Sequence, residues 1–156
     1  MGYIMVLWTY VGDRPLIIVG SSIILEDRQG RILLQLRTDN NQWSFSAAGS
    51  MEPGEAPEDT ARRELLEETG LTARSLELYG VYAGPEEHHI YPNGDEVYNV
   101  EFAYACRDWS GVPACQEGEV EDLRFFALDQ LPGGLSDQTR RRLAEWSRYK
   151  GSLEKS

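Results

Sequence analysis

The chain has 156 residues, of which 41% are hydrophobic and 26% are charged, and this balance excludes a disordered or collagen-like protein. Fifteen basic and 26 acidic residues give a formal charge of −11, so a long nucleic acid is an unfavourable partner. Without an apolar stretch of the roughly 18 residues that a membrane span needs, and without the basic start of a signal peptide, we expect a cytoplasmic protein with no membrane partner. Cys106 and Cys115 lack CxxC spacing and predict free thiols.

The first part of the chain predicts β-structure. Tyr3–Val11 alternates apolar and small residues and predicts a strand, and Leu16–Leu25 is a β-branched run typical of a buried strand. A turn at 26–30 leads to Arg31–Arg37, which predicts the returning strand of a hairpin. The polar segment Thr38–Trp43 predicts a loop.

Pro57–Thr69 carries the strongest helical pattern. Pro57 suits the first helical position, acidic residues follow in the first turn, and Gly70 suits the stop. Ala61 and Leu65, four residues apart, predict the buried face.

The second half predicts three more strands and a helix. Strands are expected at Leu76–Ala83, Glu96–Arg107 and Leu123–Leu128, with a long loop at 84–95 that turns at Asn93-Gly94 and a final helix at Ser136–Tyr149 capped by Ser136. With no repeat or linker, residues 1–156 predict a single α/β domain.

Three carboxylates share one side of the central helix. Glu64, Glu67 and Glu68 are related as i, i+3 and i+4, near the helix end where the dipole also disfavours anions. Such a cluster favours a divalent cation, and all-oxygen ligands suit Mg²⁺ or Mn²⁺. For a helix taken alone, the alternative is a solvated acidic face.

The residues around this helix favour the cation site. A glycine-rich loop precedes it, and the span Gly49–Leu71 resembles the Nudix box, in which a glycine, a glutamate and an R-E-U-x-E-E-x-G-U run occur at fixed spacing. The matching positions are Gly49, Glu55, Arg63, Glu64, Leu65, Glu67, Glu68, Gly70 and Leu71.

Resemblance to the Nudix hydrolase superfamily implies both a fold and an activity. It implies a Nudix-type α/β/α sandwich around a mixed β-sheet, and metal-dependent hydrolysis of a nucleoside diphosphate linked to a group X. By the same resemblance, Glu67, Glu68 and the Gly49 carbonyl hold metal, while Glu64 adds a ligand or activates water. Glu55 and Arg63 match the pair that orients the loop against the helix.

Other candidates lie outside the fixed positions. Glu52, in the box loop, is a candidate for reaching the metals through water, and Glu119 is a candidate late-loop ligand or base with Glu121 as its substitute. The alternative for these three is a solvated loop acid. His88 and His89 in the long loop are candidate substrate contacts, although exposed histidines usually have no such role.

Aromatic residues are the remaining candidates for the substrate. Trp43, Tyr82 and Tyr91 could stack on a nucleobase, whereas aromatic residues in strands more often belong to the core. Before the box the chain reads Ser46-Ala47-Ala48-Gly49, where family members commonly carry a proline. This departure bears on the geometry of the Gly49 carbonyl.

The substrate stays open at this level. Pro85 lies 14 residues after Leu71, close to a tag of ADP-ribose enzymes, whereas 87–89 lack the tyrosine of some dinucleoside polyphosphate enzymes. A nucleoside triphosphate and a nucleotide sugar such as ADP-ribose are equally compatible. The alternative function is a Nudix-fold nucleotide-binding or regulatory module, and a homodimer through the apolar N-terminal strand is also left open.

Overall fold

The computed structural model describes residues 2–91 and 93–154, and over those residues it contains three α-helices and ten β-strands. The helices are α1 Tyr3–Val11, α2 Pro57–Thr69 and α3 Asp137–Glu154. The strands are β1 Leu16–Leu25, β2 Ile32–Arg37, β3 Trp43–Phe45, β4 Ala47–Ser50, β5 Thr72–Ala73, β6 Glu77–Tyr82, β7 His88–Ile90, β8 Glu96–Cys106, β9 Trp109–Ser110 and β10 Val120–Phe126, with a 3₁₀ turn at Pro85–Glu87.

β1 is the centre of a mixed sheet with the order β4-β1-β8-β6, to which β7 adds by pairing with β8. β1 runs parallel to β8, from Leu16 opposite Val97 to Leu25 opposite Cys106, and antiparallel to β4. A second sheet has the order β10-β2-β3, and β5 pairs with β9. The predicted mixed sheet is confirmed.

Consecutive residues of β1 face opposite sides of the sheet, as expected for a strand. Ile23 and Leu25 pack in one core cluster with Leu65 of α2, whereas Ile24 packs in a second cluster with Leu143 of α3. One helix therefore covers each side, and the predicted α/β/α sandwich is confirmed.

The central helix has the predicted bounds and signals. Pro57 begins it, Ala61 and Leu65 are buried, and Gly70 ends it in the left-handed conformation at φ 78°. The Gly70 N–H donates to the Leu66 carbonyl at 2.9 Å. At the start, an Asp59 carboxylate accepts from the Ala56 N–H at 2.9 Å.

The N-terminal segment corrects a prediction, because Tyr3–Val11 forms helix α1 and not a strand. Ile4, Leu7, Trp8 and Val11 are half-buried while their neighbours are exposed. This i, i+3, i+4, i+7 spacing is helical and outweighs the alternation of apolar and small residues on which the strand was predicted. The N-terminal segment through which a homodimer was left open is therefore a helix and not a strand, and the dimer stays a prediction.

The predicted hairpin of β1 and β2 is also wrong. Glu26 and Ile32 form an isolated bridge, but β2 then pairs with β3 and β10. Both edges of β1 are already occupied by β4 and β8, so β2 has no edge to join.

Later predictions hold with shifted bounds. The 84–95 segment contains β7 and the 3₁₀ turn rather than a continuous loop, and the predicted turn at Asn93-Gly94 joins β7 to β8. Ser136 caps α3 by accepting from the Thr139 N–H at 3.2 Å, and the helix extends five residues beyond the predicted end.

Two further predictions can be compared with the structure. Cys106 is buried, Cys115 is exposed, and both are free, as predicted. In the described part of the chain, no helix is both long and apolar enough to cross a bilayer.

Candidate active site

The predicted motif brings β4 and α2 into close contact. A Cβ added at Gly49 would overlap the carboxyl group of Glu64, and a Cβ added at Gly20 would lie 2.7 Å from the Gly49 carbonyl oxygen. Although the preceding segment lacks the proline, Gly49 still lies in a regular strand, opposite Ser21. The two glycines therefore let β1, β4 and the glutamate face of α2 approach one another.

Arg63 connects the box loop to the helix. Its guanidinium donates to Glu55 at 2.7 and 3.0 Å, to Glu64 at 2.8 Å and to the Ser50 carbonyl at 3.0 Å. A longer contact of 3.4 Å reaches Glu67, whose side chain is 57% exposed. This geometry agrees with the orienting role that the resemblance assigned to Glu55 and Arg63.

The ion pair between Arg63 and Glu55 shifts the pKa of both partners. Hydrogen bonds from Arg63 lower the pKa of Glu55 to about 2, aided by the Glu52 N–H and the Thr60 hydroxyl. The same bonds, with Glu64, raise the pKa of Arg63 above its usual range despite partial burial. Glu55 is thus ionised at neutral pH and fixes the loop.

Glu64 and Glu68 experience the opposite effect. Burial, together with the charge of Glu64, raises the pKa of Glu68 to about 8, although the Ala48 N–H donates to it at 3.3 Å. Burial also raises the pKa of Glu64, against the pull of Arg63. These carboxylates lack enough positive charge around them.

A hard divalent cation would supply that charge. The oxygen donors of Glu64, Glu67 and Glu68 suit Mg²⁺ or Mn²⁺, so the residues fit such an ion. Over residues 2–91 and 93–154, however, no three acidic, histidine or cysteine side chains already converge closely enough to form a metal site. Arg63 binds one oxygen each of Glu64 and Glu67.

Three pockets that share lining residues lie along this glutamate face, and together they are called the groove. One, of about 570 Å³, is called the α1 chamber and is lined by Ile4, Trp8, Glu52, Glu64, Tyr91 and Asp95, among others. A second, of about 460 Å³, is called the polar chamber and is lined by Ser22, Gln35, Arg37, Glu68, His89 and Glu101, among others. A smaller channel of about 180 Å³ between them is lined by Gly20, Gly49, Ser50, Tyr91, Glu101 and Gln138, among others.

The acidic candidates outside the helix occupy different positions. Glu52 lies in the α1 chamber, where a carboxylate oxygen accepts from the Tyr3 N–H at 3.2 Å. Glu119 is exposed on the turn before β10, and its charge contributes to the raised pKa of Glu68. Glu121 is exposed on β10 itself. Their catalytic roles stay predictions.

Two of the predicted substrate contacts line the groove. His89 is in the wall of the polar chamber, and Tyr91 lines both the α1 chamber and the channel. His88 instead pairs with Glu96 at 2.9 Å and contacts the Tyr98 ring.

The other two aromatic candidates are packed elsewhere. Trp43 belongs to a core cluster, where its ring meets Phe126 edge-on at 4.9 Å. Tyr82 lies beneath the Arg142 guanidinium, 4.2 Å from its ring centre. The structure does not bring either one to the groove walls.

Sequence reasoning missed several residues of the groove, among them Trp8, Ser22, Glu101 and Gln138. A weak signal existed for two of them, since Ser22 interrupts an apolar run and Glu101 is a charged residue within a strand. Glu101 accepts from Gln138 at 2.8 Å and pairs with Arg142, and these partners belong to α3. That tertiary contact has no local signature.

The close approach of Gly49 to Glu64, the ion pairs of Arg63 and the three glutamates of α2 form the arrangement expected of one class of protein, the Nudix hydrolases. Comparison with known proteins supports this class. A family model described as the NUDIX domain matches residues 17–149. A crystal structure of a MutT NUDIX hydrolase from Burkholderia pseudomallei is 31% identical, with a TM-score of 0.70 over 85% of this chain and 98% of that one. A MutT protein from Bacillus halodurans is 26% identical, with a TM-score of 0.58 over 72% and 69%.

One relative is much longer than this chain. The NAD-capped RNA hydrolase NudC of Pseudomonas syringae pv. syringae is 33% identical over 113 residues, which is 72% of this chain but 37% of that protein. The chain thus spans little more than a third of this relative. From the family match, the chain belongs to the Nudix family.

Proposed function

We propose that this chain hydrolyses the diphosphate linkage of a nucleoside diphosphate joined to a second group, with Mg²⁺ or Mn²⁺ held by Glu64, Glu67, Glu68 and the Gly49 carbonyl. One observation carries the proposal: Glu64 and Glu68 are held together against the β4 backbone with too little positive charge around them. Family members generally need a divalent metal, which agrees with this.

The chemistry follows from the charges involved. A water oxygen bonds to phosphorus, the bridging P–O bond breaks, and its electron pair passes to the leaving phosphate. Bound divalent cations would supply charge neutralisation and a lower water pKa. Arg63 keeps the carboxylates aimed, and Glu119 is our candidate for accepting the proton of the attacking water.

The substrate is a small nucleotide rather than a long polymer. A charge of −11 disfavours a polyanion, although the name of the Pseudomonas relative includes RNA. A nucleoside triphosphate and a nucleotide sugar such as ADP-ribose are the two candidates. Free thiols are compatible with a cytoplasmic location.

The test is a panel of nucleoside triphosphates, nucleotide sugars and dinucleotides, each with Mg²⁺, with Mn²⁺ and with EDTA. We expect metal-dependent turnover of one class. We expect Glu68→Gln to lower turnover by several orders of magnitude and Glu119→Gln to lower it less. Glu117→Gln, an exposed acid on the same turn as Glu119, is the matched control.

Each outcome has a defined meaning. Normal turnover in Glu68→Gln contradicts the assigned metal site, and normal turnover in Glu119→Gln returns that residue to the solvated acids. If the folded protein binds nucleotides and metal but cleaves none of them, the regulatory-module alternative replaces hydrolysis.

A further inference from the structure

Helix α1 contributes a wall of the groove although it lies outside the family match, which begins at residue 17. Ile4, Met5 and Trp8 line the α1 chamber beside Glu64. The two core clusters contain no residue of α1. The helix is therefore an addition at the candidate active site rather than part of the core.

Trp8 has the features of a ligand-binding residue. Its indole N–H is buried, and within residues 2–91 and 93–154 it has no hydrogen-bond partner. Trp109 provides a contrast, since its indole N–H donates to the Glu26 carbonyl at 2.9 Å. Buried donors are normally paired, so this unpaired N–H is an exception that lies beside the candidate active site.

The α1 chamber also has an aromatic wall, formed by Trp8 and Tyr91. Tyr91 meets Trp8 edge-on, with ring centres 6.3 Å apart. Such faces stack on nucleobases, because every base has a π-surface. A planar heteroaromatic ring therefore matches this wall.

The polar chamber, at the other end of the groove, has a different chemical character. In the polar chamber, the Ser22 hydroxyl is buried and, among the described residues, also unpaired. Glu101 faces both this chamber and the channel, where α3 holds its carboxylate. Hydrogen-bonding groups dominate here, and no aromatic pair like Trp8 and Tyr91 lines the wall.

The chambers are joined through the channel. Ile18, Ser50 and Tyr91 line both the α1 chamber and the channel, while Ala48, Glu101 and Gln138 line both the channel and the polar chamber. At about 570 and 460 Å³, each chamber has the size of a small-molecule site, whereas the channel at about 180 Å³ is narrower than such sites.

We propose that the substrate carries a ring system on each side of its diphosphate, with the nucleoside in the polar chamber, the phosphates at Gly49 and a second heteroaromatic ring against Trp8. This inference rests on the proposed function and adds a two-ring class to its two candidate substrates. Glu64 faces the α1 chamber and Glu68 the polar chamber, so the phosphates lie between them.

Two uncleavable probes test the inference without turnover. Adenosine α,β-methylenediphosphate has one nucleobase, and P1,P2-di(adenosine) methylenediphosphonate carries a second adenosine esterified to the terminal phosphonate, with one ionisable oxygen fewer. In calorimetry with Mg²⁺, we expect the native protein to bind the two-ring probe about 10-fold more tightly. Trp8→Ala is expected to reduce this advantage to within about threefold, and Trp8→Phe to reduce it partly.

Tyr10→Ala is the matched control, since Tyr10 lies on the same helix and is 81% exposed. It is expected to keep the full two-ring advantage, and circular dichroism checks that every variant is folded. Equal affinity for both probes, binding of neither probe, or an advantage that survives Trp8→Ala would overturn the inference. If the advantage behaves as expected but no two-ring diphosphate is cleaved, the inference stands and the proposed hydrolysis fails.

Discussion

Gly49 and Gly20 make a paired test of how the site is built, because an added methyl group meets different atoms at each. At Gly49 the methyl overlaps the carboxyl end of Glu64, a flexible side chain that can rotate away. At Gly20 it lies 2.7 Å from the Gly49 carbonyl oxygen, which is backbone and cannot rotate. Neither glycine adopts a positive φ, so alanine adds no backbone strain of its own.

The expected magnitudes differ accordingly. Gly20→Ala forces two paired strands apart, and overpacking of this kind costs about 1–3 kcal/mol, or about 2–12 °C in Tm for a domain of this size. Gly49→Ala displaces Glu64 and breaks its 2.8 Å bond to Arg63, a partly exposed pair worth about 0–1 kcal/mol. Turnover, however, is expected to fall about 100-fold, because a catalytic group is misplaced.

Thermal unfolding followed by circular dichroism and metal-dependent turnover of the same preparations measure both quantities. The reasoning is refuted if Gly49→Ala retains full turnover, or if it lowers Tm more than Gly20→Ala does. Ser50→Ala, at the next position of β4, is the control for a substitution in this strand that adds no side-chain bulk.

The remaining predictions concern charge and accessibility. Because the pKa of Glu55 is lowered, its ionised form stabilises the fold above pH 4.5, and this contribution is lost as the pH falls toward about 2. In urea denaturation, Glu55→Gln is therefore expected to lose less unfolding free energy on acidification than the native protein. With an aromatic disulfide reagent, Cys115 is expected to react at once and Cys106 only on unfolding, since burial raises its pKa to about 11; two fast thiols would contradict this. Arg142→Met removes the guanidinium that pairs with the buried carboxylates of Glu87 and Glu101, and it is expected to cost about 3–5 kcal/mol of unfolding free energy, against little change in exposed Arg140→Met.

The box and its helix were predictable because their determinants are local. Pro57 and Gly70 fix the ends of α2 through backbone geometry that a single segment supplies. The spacing of Glu64 and Glu68 places both on one face of any helix. Their positions in the structure follow from these residues without help from the rest of the chain.

The errors arose where a tertiary contact decides between local alternatives. The alternation of apolar and small residues in Tyr3–Val11 suggested a strand, but the half-buried face at Ile4 and Trp8 is available only to a helix. Likewise, β2 follows β1 through a short turn, yet the neighbours β4 and β8 take both edges of β1 from distant parts of the chain. Glu101 and Gln138 meet across 37 positions for the same reason.

The charge of the site decides the order in which its ligands can arrive. Glu55, Glu64 and Glu67 pair with the guanidinium of Arg63, and Glu68 lies close enough to Glu64 to be affected by its charge, so these five residues have a formal charge of −3 when all are ionised. A diphosphate adds further negative charge and would be repelled by the cluster. Because Arg63 is already committed to Glu55, it cannot also neutralise the substrate. Cations must therefore bind before the diphosphate or together with it, and substrate affinity is expected to rise with Mg²⁺ concentration.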